Sequence, residues 1–173
     1  TPANLSTTSS SSLVFGGSSA GVSVPSSVTA LNGLTINNVN GITLTSSPTI
    51  SGTLTLTSGN ITTGSNTLDI AAAGSISGGG AAAYVNGNLG KAFNTGAGQS
   101  FIFPFGYASN YTPVAITSMT VDTAGSLTAN TTSGDHPNMS TSGIDAAKSV
   151  NRYWTLTASG LVVSTYNGTF TYV

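Results

Sequence analysis

Apolar residues along this chain recur at every second position rather than every third or fourth. Ile42 and Leu44, Leu54 and Leu56, Leu68 and Ile70, Phe101, Phe103 and Phe105, and Phe170 and Tyr172 each alternate with small or polar neighbours. That period is the mark of half-buried strands. Thr is the commonest alternate, and its branched β-carbon favours extended backbone. The chain is therefore expected to be all-β.

Over residues 25–83 the alternating pairs return at a near-constant interval. Leu34 is followed by Leu54 after 20 residues, Ile42 by Ile61 after 19 and Ile50 by Leu68 after 18. Gly and Asn punctuate the gaps, as in Asn32-Gly33, Asn40-Gly41, Ser58-Gly59-Asn60 and Gly64-Ser65-Asn66. Short strands joined by such corners, at about 20 residues per rung, describe a parallel β-helix whose rungs are stable only when stacked. An antiparallel sandwich with similar turn spacing is the competing reading. The short loops and the slow drift of the period favour the solenoid.

A second unit is expected over residues 84–173. Residues 1–83 hold one aromatic, Phe15, and one charge, Asp69, whereas twelve of thirteen aromatics and six of seven charges lie from Tyr84 onward. Gly78-Gly79-Gly80 reads as the joint. Strands are expected at 101–105, broken by Pro104, then at 114–116, 119–121, 126–128, 152–156, 161–164 and 169–173, with a polar loop over 130–147. That many short strands in about 90 residues suits an antiparallel β-sandwich, with Trp154 as its core anchor. Residues 1–24 are left as an N-terminal arm.

Composition narrows the function classes. Ser, Thr, Asn and Gly make up 92 of 173 residues, and Glu and Cys are absent. Charged residues are 4% of the chain, against about 25% in an ordinary soluble domain. Three scattered cations, Lys91, Lys148 and Arg152, and a net charge of −1 cannot neutralise a phosphate backbone, which argues against a nucleic-acid partner. No apolar run reaches the length of a membrane-spanning helix. The alternation alone fits a transmembrane barrel, but the near absence of aromatics before Tyr84 argues against its girdles. With Thr1 at its start, the chain reads as a mature secreted product, extracellular or on the cell surface, whose signal peptide has been removed.

Several stretches carry a resemblance. They are 54–79 (LTLTSGNITTGSNTLDIAAAGSISGG), Tyr84-Val85-Asn86-Gly87, Phe103-Pro104-Phe105-Gly106 leading to Tyr111-Thr112-Pro113-Val114, and Arg152-Tyr153-Trp154. Together they resemble modules of large secreted bacterial surface proteins of the adhesin-like kind, which pair a short β-helix with a sandwich. The resemblance spans roughly residues 30–173 and implies an extracellular structural or adhesive role without catalytic residues. Thr112 stands where such modules often carry a basic residue.

Catalytic chemistry finds little footing, and the chain is read as non-enzymatic, with no cofactor and no metal. Asp135 and Asp145 share the polar loop as the one conceivable carboxylate pair. His136 is the sole histidine, and Asp135 beside it points the other way along an extended chain. Gly78, Gly80 and Ala83 match a dinucleotide fingerprint in spacing but lack the following helix and acid. Four aspartates in all are too few for a tight calcium site. Asn4, Asn60, Asn110, Asn130, Asn138 and Asn167 each open an Asn-x-Ser/Thr triplet, a spacing that chance supplies in such a chain. Lys91 and Lys148 are read as exposed, with a side-chain cross-link as the alternative.

The missing charge itself points to function. Sheet edges are ordinarily guarded by Lys, inward charges, Pro or bulges, and this chain has two lysines. Its edges are expected to accept strands from other copies of itself. Leu13, Val14, Phe15, Val22 and Val24 form an apolar arm suited to donation, and Phe170 and Tyr172, in a last strand expected to run to the end of the chain, are further candidates for the subunit interface. The leading expectation is a subunit of a self-assembling extracellular fibre. The alternative is a monomeric adhesin module of a larger protein, binding glycans or surface proteins through Tyr107, Tyr111 and Tyr166. An extracellular carbohydrate-active enzyme is a distant third.

Overall fold

The computed structural model describes residues 5–172, so Asn4 and Val173 lie outside the described residues. The first half winds as a parallel solenoid. Its strands are β1 (Ser12–Gly17), β2 (Ser23–Val24), β3 (Ala30–Asn38), β4 (Ile42–Leu44), β5 (Thr49–Ser58), β6 (Ile61–Ile70), β7 (Ser75–Gly78) and β8 (Val85–Phe93). β1, β3, β5 and β7 pair in parallel along one face, and Leu13, Leu34, Leu54 and Ile76 stack in register at intervals of 21, 20 and 22 residues. β2, β4, β6 and β8 form a second face. The N-terminal end of β3, the start of β5 and the ends of β6 and β8 form a third, where Leu31, Ile50, Ile70 and Lys91 align. Parallel pairing thus settles residues 25–83 as solenoid-like.

Period two sends one set of side chains into the lumen and the other to solvent. Leu31, Leu34, Ile36, Ile50, Leu54, Ile61, Leu68 and Leu89 are all fully buried. Glycine makes the corners between the first two faces. Gly59 has φ +81° and Gly78 φ +80°, and a β-carbon at either would run into a backbone carbonyl, of Asn38 and of Leu56 respectively.

The corners also explain the composition. Between rungs, side chains donate from the later rung to a carbonyl of the earlier one. Asn38 Nδ2 reaches Ser19 O at 2.9 Å, Thr45 Oγ1 reaches Val24 O at 2.6 Å, and Ser46 Oγ reaches Val28 O at 2.7 Å. Ser51 Oγ bonds Leu31 O at 3.2 Å, Asn66 Nδ2 bonds Leu44 O at 3.2 Å, and Asn88 Nδ2 bonds Asn66 O at 3.3 Å. A stacked corner leaves carbonyls that no strand ladder satisfies, and short uncharged donors fill them. Ser, Thr and Asn are abundant because each rung needs them.

The remaining strands are β9 (Gly96–Phe103), β10 (Gly106–Tyr107), β11 (Asn110–Tyr111), β12 (Val114–Thr123), β13 (Gly125–Ser133), β14 (Arg152–Ser159) and β15 (Val162–Phe170). They do not start a separate two-sheet unit at residue 84. β8 is the solenoid's own last rung, and β13 then β14 extend its sheet in antiparallel pairing to ten strands. β9, β12 and β15 make a separate three-stranded antiparallel sheet, and β10 and β11 a small hairpin. The aromatic-rich stretch read as a new domain is instead the solenoid's cover. Phe105 bridges in parallel to Val85, and the rings of Phe93, Phe101, Phe103 and Phe105 follow one another at 6.4, 4.8 and 5.6 Å. The polar excursion begins later than expected, since β13 runs to Ser133, and it carries 3₁₀ turns at Met139–Thr141 and Ala146–Lys148.

Candidate assembly edges and the buried Lys91

The ten-stranded sheet begins at β1 and ends at β14, and neither outermost strand has a partner on its far side among the described residues. β1 bears no charge. β14 bears only Arg152, whose guanidinium donates to Thr131 Oγ1 at 2.9 Å. Val14 projects outward from β1 at 71% exposure, while Leu13 and Phe15 turn toward the core and remain half-buried. The expected arm is therefore not detached. Six residues, 12–17, are held in register against β3, because their alternation matches that of the rung above. Val24 is likewise fully buried in the solenoid's own lumen and Val22 packs against that core, so neither is free to enter another copy.

On the separate three-stranded sheet Phe170 is 42% exposed, and Tyr172, beyond it, is 59% exposed. β15 ends at Phe170, and Tyr172 follows outside it. Trp154, the expected core anchor, is half-buried on β14 with its ring 5.3 Å from that of Phe170. Its indole Nε1 is buried without a hydrogen-bond partner. Between the two sheets lies an apolar cavity of about 380 Å³, lined among others by Ile116, Met119, Leu127, Leu156 and Val163. The largest buried rings belong instead to Phe103 and Phe105.

The sequence reading missed Lys91. Expected on the surface, it is only 5% exposed and points into the lumen. Its ammonium donates to the carbonyls of Ala71, Ala72 and Gly74 at 2.7, 2.9 and 2.8 Å. It also lies 5.8 Å from the Phe93 ring and 5.3 Å from that of Phe101. Burial pushes it below the ordinary lysine range. Its hydrogen bonds go to three carbonyl oxygens, which offer no side-chain amide or carboxyl for the alternative reading of a cross-link. One signal was present: Lys91 stands two residues after Leu89 and 21 after Ile70, where the inward stack calls for an aliphatic side chain.

The remaining candidates scatter. Asp145 and Lys148 form an exposed pair at 3.6 Å, and Asp145 also accepts from the Ala147 N–H. Asp135 and His136 are exposed, the imidazole resting edge-on against Tyr153 at 5.0 Å. Gly80 and Ala83 close a tight bridge with no helix after it. Among the described residues no three His, Asp, Glu or Cys side chains gather as a metal site, and no helix is long and apolar enough to cross a membrane. Asn60 and Asn130 are engaged inside the structure, accepting from the Tyr84 N–H and donating to Asn88 respectively. Asn110, Asn138 and Asn167 are exposed. Tyr107 and Tyr166 are exposed as well, whereas burial raises the phenol of Tyr111 above its usual range. Comparison with family models, curated proteins and solved structures finds no match.

Proposed function

We propose that this chain is a secreted structural module that associates with copies of itself, edge to edge, into an extracellular fibre. The observation that carries the reading is that β1 and β14, at opposite ends of one ten-stranded sheet, each lack a partner on the far side among the described residues. An exposed strand edge without ionic guards pairs readily with another. A contact between two different edges is heterologous, and where its rotation does not close a ring it propagates as a filament. The contact is edge stacking rather than donation of residues 5–24, because β1 is already committed to β3 in its own chain. The near absence of charge and the resemblance to adhesin-like surface modules support an extracellular setting.

The test is negative-stain microscopy and sedimentation of the purified chain beside Val14→Lys. The substitution places a charge at the middle of the β1 edge without touching the lumen. The expected result is fibres of constant width for the parent and folded single particles for the variant. A parent that stays dispersed at high concentration overturns the reading, as does a variant that assembles equally well. The exposed rings of Tyr107 and Tyr166 favour a second reading, an adhesin domain that binds glycan or protein as a monomer. Binding on a glycan array that is lost with Tyr166→Ala would select it.

A further inference from the structure

Side-chain bonds to carbonyls between rungs run one way, from a later side chain to an earlier carbonyl. The carbonyls of Leu31 and Leu44 are met by Ser51 and Asn66 of the following rung. The series must stop where the chain leaves the solenoid. After Phe93 the backbone turns away into β9, in the other sheet, so no further rung passes over the corner at residues 71–74. The Ala71 carbonyl accepts from the Gly74 N–H as well, but no side chain of a further rung would reach the carbonyls of Ala72 and Gly74, a costly arrangement where they are sheltered from water. Lys91 fills the gap. It lies 20, 19 and 17 residues after Ala71, Ala72 and Gly74, close to the 18 to 22 residues that separate the other rung-to-rung donors from their acceptors.

We propose that Lys91 terminates the solenoid as a tethered ammonium ligand, occupying a three-carbonyl cation site that would accept a small primary alkylammonium ion if the side chain were removed. Three N–H bonds match the three carbonyls, and the aromatic rings of Phe93 and Phe101 lie 5.8 and 5.3 Å from the charge. Asp69, the nearest acid in sequence, lies on β6 with its carboxylate against Gly90, and among the described residues no carboxylate pairs with the ammonium. The site is thus selected by N–H donors and positive charge together, and a cation without N–H groups cannot replace it.

The experiment compares the thermal unfolding of Lys91→Ala, Lys91→Met and the parent chain. Each is measured in propylammonium chloride, tetramethylammonium chloride and sodium chloride at equal ionic strength. Both variants should melt at least about 4 °C below the parent. Propylammonium replaces the atoms that Lys91→Ala removes, so it should raise that midpoint with concentration, while the other two salts should not. Lys91→Met fills the space and should gain nothing. A Lys91→Met chain that melts with or above the parent overturns the proposal, and so does equal response of Lys91→Ala to all three salts. Should neither variant fold, reductive methylation of the parent followed by mass spectrometry decides the matter. Lys91 should react at least about tenfold more slowly than Lys148, a protection equal to a burial free energy of about 1.4 kcal/mol; comparable rates overturn it.

Discussion

Leu54→Ala tests whether the rungs are closed-packed against one another. Leu54 sits between Leu34 and Ile76 in the stack on the first face and is fully buried. The substitution removes three carbons from water-free surroundings, a transfer loss of about 2.4 kcal/mol at about 0.8 kcal/mol per methylene. The neighbours above and below are pinned by the strand ladders, so they cannot collapse fully into the space. A residual void on the order of 50 Å³ adds about 1.2 kcal/mol at roughly 24 cal/mol per Å³. The expected loss is then about 3.5 kcal/mol. For a chain of this length that corresponds to a fall of roughly 7–14 °C in the unfolding midpoint. Thr57→Ala, on the exposed side of the same strand, should change stability by less than about 0.5 kcal/mol. Urea titration and calorimetry read both. A loss below about 1 kcal/mol for Leu54→Ala would refute close packing between rungs.

Other outcomes follow from the same geometry. Gly59→Ala should cost more than about 2 kcal/mol in a denaturant melt, because a positive φ and a collision with the Asn38 carbonyl act together. Burial raises Asp69 above its ordinary value of 3.8, so within the window between the two values the folded state holds the proton more tightly than the unfolded chain. Stability from this group is present below that window and is lost as pH rises through it. Asp69→Asn should therefore melt above the parent at pH 7, with the gap closing near pH 3. Phe170→Ala should cost about 1 kcal/mol, less than a fully buried ring, since Phe170 is 42% exposed. It should also shift the fluorescence of Trp154 to the red.

The solenoid was legible because two periods coincide: alternation along a strand and the recurrence of Leu34 at Leu54. β1 escaped the reading because its match to β3, Leu13 against Leu34, is a single interval flanked by Gly16 and Gly17. The boundary near Tyr84 was misplaced for a different reason. Aromatic density reports where a large space must be filled, and Phe101, Phe103 and Phe105 fill the lumen's end rather than the centre of a new domain. Lys91 was hidden because its three acceptors are backbone carbonyls, which have no sequence signature. Its inward register was visible, but a lysine in isolation is read as exposed. The free edges of β1 and β14 were anticipated only in kind, from missing charge; which strands end the sheet depends on how β8, β13 and β14 pair across the fold.

The corner bonds of the first half carry a consequence for how such a chain can change in size. A deletion of one residue in β5 would turn Leu54 and Leu56 outward and Thr55 inward, and would move Ser51 away from Leu31. Removing or duplicating a block of about 20 residues disturbs neither, since each turn asks of its neighbour only what every other turn supplies. The length of this architecture is quantised, and its natural variants should differ by whole turns.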